Sequence, residues 1–169
     1  RRQIIAAAAA LTSPWTQAAW PSENRPVRLL VPWPTGGATD QIGRMLAQPL
    51  GQALGLSVVV ENKGGAGGVI GTQQFVKEKA DGHSLLLATS STNAAAVHLY
   101  NKLGFDPIKD FSPIGKIGNS TTLLVAHPSF KARTLKELIE LSKTLPGGVS
   151  YGTSGTGSIV HLAGELLKQ

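Results

Sequence analysis

Short apolar runs alternate along the first half of the chain with segments in which apolar residues recur every three or four positions. The runs are bounded by proline, glycine or polar residues, which is typical of buried strands. They predict strands at residues 27–31, 57–61 and 85–88. The helical spacing predicts helices at about residues 40–54, 71–79 and 94–99. This order predicts an α/β fold with a mostly parallel sheet and helices on both faces.

The pattern changes after residue 100. Residues 100–120 contain prolines and glycines without a helical period, and we interpret them as a segment that crosses to a second unit. The residues that follow predict strands at 121–126 and 149–151, a helix at 135–145, and a helix from Ile159 that still continues at Gln169. Thr134 is placed to cap the first of these helices. Two strands are too few to complete a sheet, so the second unit is expected to be truncated.

The N-terminal residues have the order of a secretory signal peptide. Arg1 and Arg2 precede an apolar stretch and then small residues, so we expect residues 1–18 to be a signal peptide without its initiator methionine. A short buried helix is the alternative. We expect a first lobe at 19–120 and the start of a second lobe at 121–169. No apolar stretch is long enough to span a bilayer, so stable membrane insertion is not expected.

Charge and cysteine content narrow the function classes. The formal net charge is +6, and without residues 1–18 the chain keeps 14 basic and 10 acidic side chains. This mild excess suits anionic small molecules, and the scattered lysines do not form a nucleic-acid-binding surface. The chain has no cysteine, which excludes a disulfide framework, a thiolate nucleophile and a lipidated cysteine. An exported protein of this kind is compatible with a bacterial periplasm.

Three glycine-rich turns lie where a predicted strand is followed by a helix. We name them turn one (residues 32–40), turn two (64–71) and turn three (150–161). A helix that begins directly after a strand directs free backbone N–H groups and the positive end of its dipole towards one place, which favours an anion. Glycine permits close approach to that backbone, and Thr or Ser adds hydroxyl donors.

The glycine turns do not match the templates of nucleotide-binding or serine-hydrolase sites. In turn two, Gly68 follows Gly67 directly, which misplaces the third glycine of a dinucleotide fingerprint. In turn three, Ser158 stands where a P-loop requires lysine. Thr156 stands where the G-x-S-x-G motif of hydrolases requires glycine. These mismatches count against a nucleotide-dependent enzyme or a serine hydrolase.

Few residues suggest catalysis or metal binding. His161 and Glu165 lie one helical turn apart, but two ligands are too few for a metal site, so neither a metal nor a cofactor is expected. We favour His161 as a residue that packs or hydrogen-bonds near the preceding loop. Asp40 is interpreted as a helix cap, a role that Thr39 also fits, rather than as a general base. Turn two is either structural or ligand-binding, and Trp33 either core or pocket wall.

Several ordered motifs resemble one known family. These are PWPTGGATD at 32–40, ENKGGAGGVIG at 61–71, ADGHSLL at 80–86 and YGTSGTGSIVHL at 151–162. Together with shorter matches around residues 99–111 they are similar to the periplasmic solute-binding proteins of tripartite tricarboxylate transporters, the Bug or TctC family. The resemblance covers almost everything after residue 21. It departs at Trp33, where phenylalanine is common, at Thr35, where proline is usual, and at Asn93, where histidine is frequent.

The resemblance implies a two-lobed, periplasmic-binding-protein-like (Venus flytrap) fold without catalysis. It implies a monomer that takes a small carboxylate, of the di- or tricarboxylate or acidic amino-acid type, and passes it to membrane transporter subunits. In this family a ligand carboxylate is held between strand–helix loops of the two lobes. The residues expected to bind it here are Trp33, Thr35, Gly36, Gly37, Ala38, Thr39, Asp40, Ser90, Ser91, Thr92, Asn93, Ser154, Gly155, Thr156, Gly157, Ser158 and His161.

Two alternatives remain open from the sequence. One is an α/β enzyme that acts on an anionic substrate with Asp40 or His161 as its base. The other is a non-functional truncated remnant.

Overall fold

The computed structural model describes residue 20 and residues 24–169. The predicted signal peptide at residues 1–18 lies outside the described residues. Three strands, β1 (Val27–Val31), β2 (Val58–Asn62) and β3 (Ser84–Leu86), form a parallel sheet in the order β2-β1-β3. The register pairs Val27 with Val58 and Arg28 with Ser84. All three strands lie within two residues of the predicted positions.

The helices also follow the predicted order. They are α1 (Ala38–Leu54), α2 (Val69–Phe75), α3 (Ala96–Leu99), α4 (Leu135–Thr144) and α5 (Ile159–Leu167). A 3₁₀ turn (Ala66–Gly68) precedes α2, and a π-helical turn (Ser91–Ala95) precedes α3. Helix α1 packs on β1 and β2, and α2 packs on β1 and β3. Strands β2 and β3 lie on opposite sides of β1, and because crossovers between parallel strands are right-handed as a rule, we expect α1 and α2 on opposite faces of the sheet. The parallel sheet with its packed helices confirms the predicted α/β architecture.

The hydrophobic core lies between the sheet and α1. It contains Leu29, Val31 and Leu87, and residues Ile42 and Leu46 of α1 pack against it. A second buried cluster joins α2, α3 and the loop after them through Val69, Ala96, Leu103 and Phe105. In the part of the chain that the structure describes, all buried apolar side chains lie between Val27 and Phe105. We refer to residues 24–111 as the sheet unit.

Two strand predictions in the second half are wrong. Residues 121–126 and 149–151 have no strand hydrogen bonding, and 121–126 are exposed throughout. Their apolar pattern is typical of a strand, but a strand also needs a neighbour, and no other described segment pairs with either run. Thr134 is confirmed as a helix cap, because its Oγ1 accepts the Glu137 N–H at 3.2 Å.

Several helix boundaries differ from the predictions. Helix α2 ends at Phe75 rather than near residue 79, and α5 ends at Leu167 rather than continuing through Gln169. No residue of α4 or α5 is buried, so the segment that carries these two helices (residues 134–167) contributes no core of its own to the described structure. None of the described helices has the length and apolar character needed to cross a bilayer.

Candidate functional site

The three glycine turns meet at one edge of the sheet. Turns one and two follow β1 and β2, so they lie at the carboxyl ends of parallel strands, where ligands bind in α/β sheets. A Cβ at Gly64 would lie 2.9 Å from the Pro34 ring, which places turn two against turn one. A Cβ at Gly67 would lie 3.0 Å from the carbonyl carbon of Gly157, which places turn three against turn two. The sequence predicted the turns separately, and the structure brings them together.

Turn one presents the N-terminus of α1 without a side-chain cap. The helix begins at Ala38, and its N-cap is Gly37, which has no side chain to accept a hydrogen bond. The prediction that Thr39 or Asp40 is the cap is therefore wrong. Asp40 is the third helical residue, and its Oδ2 reaches back to accept the Gly36 N–H at 2.8 Å. The N–H groups of Ala38 and Thr39 have no acceptor within the helix, because they belong to its first turn.

The buried Asp40 carboxylate holds turn one in its conformation through hydrogen bonds. Its side chain is almost fully buried, and Oδ2 also accepts from Arg44 Nε at 3.1 Å. The Gly36 N–H and then the Arg44 guanidinium lower the pKa of the Asp40 carboxyl below its ordinary value. A carboxylate with a lowered pKa is a weak base. The geometry therefore supports a structural role for Asp40 rather than proton abstraction.

This arrangement makes part of the protein's stability depend on pH. Because the folded pKa of Asp40 lies below its unfolded value, its contribution is present above the unfolded pKa and is lost as the pH falls through the folded one. We expect Asp40→Asn to reduce the loss of stability between about pH 5 and about pH 2, measured by urea unfolding at each pH. The matched control is Glu140→Gln at an exposed carboxyl that accepts no backbone N–H among the described residues. Equal pH profiles for the two variants would contradict the prediction.

Three residues that sequence reasoning missed support turn one and turn two. Arg44 donates to Asp40 and to Asn62 Oδ1, and Asn62 Nδ2 donates to the Trp33 carbonyl at 3.1 Å. Tyr100 donates its hydroxyl to the carbonyl of Ala66 at 3.0 Å. The four-residue spacing of Asp40 and Arg44 was a readable signal for a helical ion pair. Asn62 and Tyr100 carry no local signal, because their partners are distant in sequence.

The segment after β3 is mostly turned inwards. Of its four predicted ligand-binding residues, Ser90 is exposed, Asn93 is half-buried, and Ser91 and Thr92 are buried. Thr92 Oγ1 accepts the Thr89 N–H at 3.1 Å and lies 2.7 Å from Asn93 Oδ1. Ser91 Oγ accepts the backbone N–H of Ile159 in turn three at 3.0 Å. These buried hydroxyls are therefore engaged in holding the loop.

Turn three caps α5 with its own side chains. Ser158 is the N-cap, is buried, and accepts the His161 N–H at 3.2 Å. His161 Nδ1 accepts the Gly157 N–H at 3.5 Å, and its Nε2 lies 3.7 Å from Glu165 Oε1. The prediction that His161 hydrogen-bonds to the preceding loop is confirmed. Ser154 and Thr156 are exposed and Gly155 is half-buried. The described residues contain no group of three or more candidate metal ligands.

Turn two is a packing element. A Cβ at Gly68 would lie 2.5 Å from Thr92 Cγ2, and a Cβ at Gly71 would collide with the Lys63 carbonyl oxygen. Trp33 is 7% exposed and belongs to the core cluster, so of its two predicted roles the structure supports the core one. Its Nε1 and the second carboxylate oxygen of Asp40 have no hydrogen-bond partner among the described residues.

Comparison with known protein families shows to which family the chain belongs. Residues 42–169 match the tripartite tricarboxylate transporter family receptor model, TctC. The chain belongs to this family. BugT of Bordetella pertussis is 38% identical over 166 residues, which are 98% of this chain and 50% of that protein. The chain spans about half the length of the curated relatives it matches.

Solved structures support the same fold. A periplasmic transporter superposes with a TM-score of 0.82 at 43% identity, covering 89% of this chain and 50% of that one. An R. palustris protein solved with adipate gives 0.81 at 34% identity, with coverages of 88% and 49%. MatC from Rhodopseudomonas palustris, solved with malate, gives 0.73 at 30% identity, with coverages of 85% and 50%. The chain therefore has the α/β fold of periplasmic binding proteins.

Proposed function

We propose that this chain acts in an extracytoplasmic solute-binding protein that captures a small carboxylated organic anion for a tripartite tricarboxylate-type transporter. The observation that carries the proposal is the uncapped N-terminus of α1 in turn one, at the carboxyl edge of the sheet and beside turns two and three. Free N–H groups at a helix N-terminus bind carboxylates well. Two structurally similar proteins, one solved with adipate and one with malate, hold dicarboxylates.

The exposure of the predicted residues divides them into two roles. We assign direct ligand contact to residues of turn one, of the segment after β3 and of turn three that reach the surface: Thr35, Gly36, Gly37, Ala38, Thr39, Ser90, Asn93, Ser154 and Thr156. The buried Trp33, Asp40, Thr92 and Ser158 shape the loops that carry them. The first lobe, at residues 19–120, and the second lobe, which starts at residues 121–169, would then close on the ligand by the hinge motion of periplasmic binding proteins.

Location and partners follow from the same proposal. The protein would be exported by the signal peptide at residues 1–18, act as a monomer in the periplasm and deliver its ligand to membrane transporter subunits. Catalysis has less support than binding. Asp40 is a weakened base, and His161 Nδ1 already accepts the Gly157 N–H. The family to which the chain belongs is one of receptors.

Ligand-dependent thermal unfolding of the full-length protein tests the proposal. Adipate, malate, citrate and aspartate are compared with acetate and with a neutral alcohol of similar size. A ligand at about 100 times its Kd stabilises the folded state by about 2.7 kcal/mol, which raises Tm measurably. The acid should be recovered unchanged and in stoichiometric amount. No shift with any acid would contradict binding, and conversion of the acid would favour the enzyme alternative.

A further inference from the structure

Turn three touches the sheet unit through a direct contact between backbones. A Cβ at Gly67 would lie 3.0 Å from the Gly157 carbonyl carbon and 3.0 Å from the Thr156 carbonyl oxygen. Gly67 also has a φ of +62°, in the left-handed region. Any side chain at this position would push turn three away from turn two. Gly67 therefore sets how closely the two turns approach.

A hydrogen bond from the sheet unit secures the first turn of α5. Ser91 Oγ accepts the Ile159 N–H at 3.0 Å, although the two residues are 68 positions apart. Ile159 is the first residue of α5, so its N–H has no acceptor within the helix. Ser158 supplies the acceptor for the His161 N–H. The N-terminus of α5 is thus capped partly by its own turn and partly by the sheet unit.

Tyr100 contacts both turn two and turn three. Its hydroxyl donates to the Ala66 carbonyl in turn two. A Cβ at Gly157 would lie 2.9 Å from that hydroxyl, so Tyr100 also abuts turn three. Gly157 has a φ of +82°, which suits glycine. Turn two, turn three and Tyr100 therefore form one packed interface. The sequence motifs gave no indication that these three parts are in contact.

We propose that Gly67 and Ser91 are positioning residues that dock turn three onto the sheet unit, so that ligand affinity depends on a contact which the ligand does not make. Turn two is then the docking platform for turn three rather than a ligand-binding loop. The effect on affinity rests on the proposed function, whereas the docking contact does not. The two parts can therefore be tested separately.

A distance measurement without ligand tests the docking contact. The chain has no cysteine, so Gln48→Cys on α1 and Leu166→Cys at an exposed position of α5, the helix that begins in turn three, give one pair of spin labels. We expect a narrow distance distribution in the parent and a broad, longer one after Gly67→Ala. The matched control is Gly55→Ala, because Gly55 has a similar φ of +66° and nothing within 4 Å of an added Cβ. Identical distributions for Gly67→Ala and Gly55→Ala would overturn the proposal.

Binding kinetics of the full-length protein test the effect on affinity, with adipate and malate as probes. Gly67→Ala and Ser91→Ala should raise the dissociation rate and weaken binding about tenfold, with little change in the association rate. Gly55→Ala and Ser57→Ala, at an exposed serine, should bind like the parent. If Gly67→Ala does not fold, the affinity of Ser91→Ala tests the proposal alone. A Ser91→Ala variant that binds the acids as tightly as Ser57→Ala does would overturn it. If the parent binds none of adipate, malate, citrate and aspartate, the proposed function is refuted, and the distance measurement still decides the docking.

Discussion

Gly71→Ala is expected to lower the free energy of unfolding by about 3 kcal/mol, although alanine is the better helix former. Gly71 lies inside α2 with ordinary helical geometry, so helix propensity alone predicts a gain of about 1 kcal/mol. The added Cβ, however, would collide with the Lys63 carbonyl oxygen and would lie 3.0 Å from Pro32 Cα. Both obstacles are backbone, which cannot rotate away. Urea unfolding followed by circular dichroism measures the change.

A Gly→Ala substitution in another helix distinguishes the effect of the backbone collision on stability from the effect of replacing glycine by alanine. Gly164→Ala places the same Cβ inside α5, where the obstacle is the ring of Tyr151. The Tyr151 side chain is exposed, and its hydroxyl donates to Glu165, so the ring can rotate away from an added Cβ with the loss of only one exposed hydrogen bond. We expect Gly164→Ala to change stability by less than about 1 kcal/mol. Equal effects of the two substitutions would contradict the prediction, because the backbone collision at Gly71 would then not be the cause of its larger loss of stability.

Local signals in the sequence account for most of the sheet unit. The strand at 27–31 is bounded by prolines, and turn one contains the paired glycines Gly36 and Gly37, so both ends of β1 were predictable. The run at 121–126 carries an equally strong apolar pattern but forms no strand. A strand depends on its hydrogen-bonding neighbour, and the identity of that neighbour is not written in the run itself.

The candidate site was predictable as a set of loops but not as an arrangement. The family motifs indicated Asp40 and Ser91 as ligand-binding residues, which stays a prediction. The structure shows a second role, since both side chains are buried and accept hydrogen bonds from backbone N–H groups. Sequence spacing cannot distinguish a hydroxyl that faces a ligand from one that caps a helix 68 residues away. Contacts of this kind depend on tertiary packing. The reliable local signal was glycine, because its left-handed turns and close approaches leave few other residues allowed.

Ala38→Pro is expected to weaken dicarboxylate binding about 10- to 100-fold while leaving the fold intact. Ala38 is the first residue of α1, a position where proline is well tolerated. The preceding Gly37 has φ −75° and ψ 169°, which is the extended conformation that a residue before proline prefers. The substitution therefore removes one backbone N–H from turn one and little else. If that N–H donates to the ligand carboxylate, a charge-assisted hydrogen bond is lost.

Helix α4 provides the matched control for this substitution. Leu135→Pro places proline at the first position of α4, after Thr134 in the extended conformation with φ −128° and ψ 162°. Calorimetric titration of the full-length protein with adipate and malate should show parental affinity for Leu135→Pro and weak binding for Ala38→Pro. Thermal unfolding without ligand should show a Tm close to that of the parent for both. Unchanged affinity after Ala38→Pro would mean that the Ala38 N–H does not donate to the ligand carboxylate, because this donor would be absent while the helix remained in place.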